Sequence, residues 1–82
     1  MKPIIVGVKV LPRDEVLDSQ GRTIHGSLKS EGFALTEVKA GKYFKLALNE
    51  STEDQAKKTA QKIAEHSLCN PLIEKFELEV LT

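Results

Sequence analysis

Four side chains able to do chemistry crowd one short stretch, VLDSQGRTIHGSL. They are Asp18, Gln20, Arg22 and His25, with Ser27 close behind. A serine nucleophile needs a base within hydrogen-bond reach and an oxyanion hole. On a helix of 3.6 residues per turn, His25 and Ser27 diverge by about 200°, so they do not form such a pair. Asp18 also has a plain structural task as a helix cap. His66 and Cys69 have the spacing of two metal ligands, but a structural zinc takes four. His25 is the only other histidine and there is no second cysteine, so a surface histidine beside a buried thiol is the better reading. Lys39, Gly41, Lys42 and Lys45 gather around a glycine and could cradle a phosphate. A solvated, lysine-protected hairpin explains them as well. In GKYFKLAL, basic and aromatic residues alternate faintly as in an RNA-binding strand. Tyr43 and Phe44 are adjacent, however, and point to opposite faces.

The totals agree with the absence of a self-sufficient active site. The chain has 82 residues and a formal net charge of +0, enough for one domain, residues 1–82, of limited stability. Nucleic-acid binders draw most of their affinity from a basic surface, which is missing here. With a single cysteine, no intrachain disulfide can form. No apolar run approaches the roughly 20 residues of a membrane span. The start, MKPIIVGVKVLPRDE, lacks the pattern of a signal peptide. The expectation is a cytoplasmic domain without membrane or nucleic-acid partners.

Periodicity predicts the elements that position these residues. Ile4–Leu11 alternates, with Ile4, Val6, Val8 and Val10 on one face, and reads as a strand stopped by Pro12. Asp18 or Ser19 caps a first helix, with Leu17 as a staple ahead of Ile24 and Leu28, and Gly32 ends it. Gly21 and Gly26 each weaken that helix by roughly 1 kcal/mol relative to Ala; such a helix needs packing or a close backbone approach. Leu35–Leu48 reads as a hairpin turning at Gly41 with positive φ. Ser51 and Asp54 form a loose capping box for a second helix, whose stripe of Ala56, Ala60, Ile63 and Ala64 suits close packing on a sheet. Asn70 and Pro71 end it, and Phe76–Val80 is the last strand. The order βαββαβ is ferredoxin-like: an α+β two-layer sandwich with both helices on one face of an antiparallel sheet. The other face, with Ile5, Gly7, Lys9, Tyr43, Lys45 and Ala47, suits a surface covered by self-association or a partner.

Three motifs, in order and covering nearly the whole chain, resemble the PurS family: VLDSQGRTIHGSLKSEGF, VKAGKYFKLAL and LCNPLIEKFELEV. Ser19 departs from the family's usual proline, and either residue can start a helix. The resemblance implies a non-catalytic subunit of phosphoribosylformylglycinamidine synthase, a glutamine-dependent ligase of purine biosynthesis. It implies a homodimer or tetramer bridging a PurL synthetase subunit and a PurQ glutaminase subunit and assisting ammonia transfer. ATP and magnesium would then belong to the synthetase partner, with no cofactor in this chain. Asp18, Gln20, Gly21, Gly41, Lys42, Tyr43, Asn70 and Pro71 are the positions implied for assembly. Asp18 and Gln20 can face a partner or serve the helix start; capping accounts for Asp but not for Gln. The alternatives are a ligand-binding regulatory domain of the same shape and single-stranded nucleic-acid binding through Tyr43 and the lysines.

Overall fold

A computed structural model describes residues 2–81; Met1 and Thr82, within the expected domain, lie outside the described residues. Strand β1 (Ile4–Pro12) is central in a three-stranded antiparallel sheet of order β2-β1-β3. Its flanks are β2 (Lys42–Leu48) and β3 (Glu74–Val80). The alternation is as expected: Val6 and Val8 are fully buried and Val10 nearly so. Phe44, Leu46, Phe76 and Leu78 join them from the flanking strands. Strand β3 starts two residues before the expected Phe76.

Helix α2 (Glu53–Ile63) lies across the three strands. Ala56, Ala60 and Ala64 have no exposed surface, so the small-residue stripe does what its spacing predicts and brings the helix close to β1. Its cap falls one residue later than expected. The Thr52 hydroxyl accepts the Gln55 N–H at 3.2 Å, which fits the Thr-x-x-Gln capping pattern better than Ser51 with Asp54. The helix then widens into a π-helical turn, Ala64–Leu68, before Cys69.

Helix α1 (Ser19–Ser30) starts at the expected cap, Asp18, and ends in a Schellman arrangement. The Phe33 N–H reaches the Leu28 carbonyl, and the Gly32 N–H reaches Lys29. Gly32 has φ +96°, the left-handed conformation that favours glycine. Leu17 is 67% exposed and does not act as a staple.

Two expectations are corrected. First, Leu35–Ala40 forms no strand, so there is no hairpin, and Gly41 does not have positive φ. Two of the segment's backbone groups are committed to α1 and its cap instead: the Ala40 N–H goes to Asp18 and the Leu35 carbonyl to His25. Gly41 is needed for proximity, since a Cβ there would lie 2.2 Å from the Val10 carbonyl oxygen. Second, only α2 covers the sheet. Helix α1 packs on no strand to a comparable extent, because it is tethered to the extended segment. The fold remains α+β with an antiparallel sheet and fits the ferredoxin-like order, with an extended segment replacing one strand.

Candidate functional site

The chain's three motifs meet at the C-terminal end of β1. Asp18 joins the first two. One carboxylate oxygen accepts the Gly21 N–H at 2.9 Å, and the other accepts the Ala40 N–H at 2.8 Å. These bonds, that from Gly21 first, hold the Asp18 carboxyl below the usual carboxylate range; Lys39 adds a smaller push in the same direction. Gly21 is buried, and a Cβ on it would meet the Val38 carbonyl oxygen at 2.2 Å. The glycine that weakens the helix is therefore the one that lets α1 touch the extended segment. One turn on, His25 donates through Nε2 to the Leu35 carbonyl at 3.1 Å. Lys39 pairs with Asp14 and lowers its carboxyl, chiefly through their hydrogen bond. A cavity of about 200 Å³ lies in this corner, lined by Val16, Leu17, Arg22, Glu37 and Val38 together with Asp14, Asp18, His25 and Lys39. Gln20 is exposed.

The third motif reaches the same strand end through Arg13. Its Nε donates to the Pro71 carbonyl at 2.9 Å, and its backbone N–H donates to Ile73 at 2.9 Å. Asn70 organises the turn that follows: its side-chain oxygen accepts the Leu72 N–H at 3.1 Å, and its carbonyl accepts from Ile73 and Glu74. The Glu74 carboxylate accepts the Asn70 N–H at 2.8 Å. Leu72 stands 84% exposed at the tip. Lys42 lies 3.6 Å from Glu74 across the sheet. Beside this end, Cys69 is buried, and burial pushes its thiol up.

Tyr43 belongs to a separate arrangement on the sheet face away from α2. It stands opposite Lys9 on β1, while Glu79 on β3 stands opposite Gly7. The tyrosine crosses diagonally over Gly7 and donates to the Glu79 carboxylate at 2.6 Å. A Cβ on Gly7 would lie 2.1 Å from the Tyr43 hydroxyl, so the glycine gives passage to the ring. Lys9 reaches the other Glu79 oxygen at 3.4 Å. The bond from Tyr43, and to a smaller extent Lys9, lowers the Glu79 carboxyl, while the same bond to Glu79, with burial, raises the tyrosine.

The structure thus joins Asp18 and Gly21 to the segment that ends at Ala40, seats Gly41 against Val10, ties Pro71 to Arg13 just past the end of β1, and leaves Gln20 and Tyr43 apart. Arg13, Asp14 and Glu79 were missed by sequence reasoning. For Glu79, a glycine inside a β-branched strand was the available signal; for Arg13 there was none. Among the described residues, no cluster of three or more His, Cys, Asp or Glu side chains could hold a metal ion. Among the described residues, no helix is long and apolar enough to cross a membrane.

Comparison with known proteins adds independent information. The family model for PurS, phosphoribosylformylglycinamidine (FGAM) synthase, matches residues 5–82. The phosphoribosylformylglycinamidine synthase subunit PurS of Mycobacterium leprae is 35% identical over 72 residues, 87% of either chain. Among solved structures, a chain of PurLQS from Thermotoga maritima superposes with a TM-score of 0.90 at 27% identity, covering 99% of this chain and 100% of that one. PurS of Methanocaldococcus jannaschii, one of the subunits of formylglycinamide ribonucleotide amidotransferase, gives 0.82 at 28% identity, with 96% of each chain covered.

Proposed function

This chain belongs to the PurS family of phosphoribosylformylglycinamidine synthase, and from that premise we propose that it is the assembly subunit that bridges the synthetase and glutaminase subunits. The observation that carries this reading is the match, along nearly the full length of both, to a chain of a PurLQS structure. In this role the chain orients two larger subunits so that ammonia released from glutamine passes to the synthetase, which amidates formylglycinamide ribonucleotide. ATP and magnesium act at the synthetase. The setting is the cytoplasm, and the chain self-associates as a dimer or tetramer.

The chemistry of its surface supports that division of labour. The one cysteine is buried with a raised thiol pKa, the reverse of an activated nucleophile. Asp18 and His25, the best acid–base candidates, are bonded to the chain's own backbone. What the motifs present instead is a braced corner with exposed groups, Gln20 and Leu72, available to neighbours. We assign Asp18, Gly21 and Gly41 to shaping this corner, Asn70 and Pro71 to the turn that carries Leu72, and Lys42 and Tyr43 to bracing the sheet. Gln20 is assigned to partner contact.

Reconstitution tests the proposal. The synthetase and glutaminase subunits from the same organism are mixed with and without this chain. Glutamine-dependent synthesis should require it, while synthesis supplied directly with ammonia should proceed with the synthetase alone. Equal glutamine-dependent rates in its absence would refute the bridging role.

A further inference from the structure

The cavity beside Asp18 has charge left over once its internal bonds are made. Asp14 and Lys39 satisfy each other. Both oxygens of Asp18 are taken by backbone N–H groups, those of Gly21 and Ala40. His25 spends Nε2 on the Leu35 carbonyl. Two charged lining side chains remain. Arg22 and Glu37 are exposed, and neither side chain has a hydrogen bond or ion pair among the described residues. The Glu37 charge still reaches this cavity: after the bond to Asp14, it helps to raise Lys39. A free cation on α1 and a free anion on the extended segment therefore border the same hollow.

These leftover charges select the ligand. Three carboxylates line the cavity against two permanent cations, Arg22 and Lys39, which disfavours a simple anion such as phosphate. A bare cation meets the guanidinium, and no cluster of described residues is able to ligate a metal. A molecule carrying both charges suits both groups. A carboxylate fits the planar fork of an arginine, and an ammonium pairs with a carboxylate. The volume of about 200 Å³ lies below the roughly 300–1,000 Å³ of sites for drug-sized ligands, so the ligand is small. Val16 and Val38 supply an apolar wall. Leu17 and Arg22 also border a second hollow, with Ser19 and Thr23. A neutral polar side chain extending there meets hydroxyl groups, while the acidic excess disfavours a further carboxylate. We infer that this cavity binds a free α-amino acid with a neutral polar side chain, its carboxylate on Arg22 and its ammonium on Glu37. The two segments that hold it are already fixed to each other through Asp18 and His25, so the site is preorganised. The inference does not rest on the bridging role.

Titration of the full chain with L-glutamine, followed by proton–nitrogen NMR, tests the site. Amide signals of residues 18–25 and 35–40 should shift saturably, with a dissociation constant of about 1 mM or below. Arg22→Gln and Glu37→Gln should each raise that constant at least about tenfold, as expected when a charge-assisted hydrogen bond is lost. Both side chains are exposed and unbonded, so the spectra of the variants should otherwise match wild type. Varying the ligand gives a second measurement that needs no variant. N-acetyl-L-glutamine has no ammonium and L-glutaminamide has no carboxylate. Each should bind at least about tenfold more weakly than L-glutamine. An absence of saturable shifts at about ten times the expected constant overturns the inference. So does a variant that binds as tightly as wild type, an analogue that binds as tightly as L-glutamine, or a set of shifts centred elsewhere in the chain. Reconstitution with the larger subunits reads the bridging role alone, so the two readings fail separately.

Discussion

Asp18 does two jobs with one carboxylate. It caps α1 through Gly21 and anchors the extended segment through Ala40. Its folded pKa lies below the ordinary value of about 3.9. The stabilisation it gives is therefore fully present above about pH 4 and is lost as pH falls through that value toward the lower folded one. Asp18→Asn keeps a capping oxygen but has no carboxylate to protonate. Its acid unfolding curve, followed by circular dichroism, should be flatter than wild type over that window, while Asp18→Ala should be less stable than both at pH 7. The glycines give a contrasting pair. Gly41→Ala drives a methyl into the Val10 carbonyl and should cost roughly 1–3 kcal/mol in urea unfolding. Gly26 has nothing within 4 Å of where a Cβ would be and lies on the opposite side of α1 from Ile24. Gly26→Ala should therefore stabilise the chain by about 1 kcal/mol. Asp18 as a cap and Gly21 as a point of close approach were legible because both signals are local. The second Asp18 bond was not, since its donor lies 22 residues away, and nothing in the local pattern marks Ala40.

Among the elements, β1 and α2 were the readable ones. Strict alternation in Ile4–Val10 and the four-residue spacing of Ala56, Ala60 and Ala64 each imply a face, and those faces meet. Ala60→Leu should wedge α2 off the sheet and cost roughly 1–3 kcal/mol, measured by thermal unfolding. Leu35–Ala40 shows the limit of such reading. Its alternation suits a strand, yet strand formation depends on who takes the backbone hydrogen bonds, and Asp18 and His25 take one at each end of the segment. The Tyr43 crossing shows another limit. A diagonal contact over a glycine depends on register between three strands, which no single segment encodes. Gly7→Val should expel the ring from its path and break the Tyr43–Glu79 bond. The tyrosine's titration, read by ultraviolet absorbance, should then fall back toward the ordinary phenol value from its raised one.

For the whole molecule, the class of fold and the family were legible from three motifs in order, while the outline was not. A ferredoxin-like order predicts two helices on one sheet, and the chain places one there. The helix that departs is the one with two glycines and a thin apolar stripe, so its packing was the least constrained by its own sequence. At this scale, the shape favours function by assembly: the bonds that fix the motifs are internal, and exposed residues such as Gln20 and Leu72 are left to meet neighbours. Burial of Cys69 has a practical consequence for studying that assembly. A thiol that is both covered and reluctant to ionise reacts only when the cover lifts. Its alkylation rate is thus a built-in clock for the opening of α2 away from the sheet. Adding the larger subunits should slow that clock if docking steadies the sandwich, giving a measure of coupling between assembly and internal motion that needs no engineered residue.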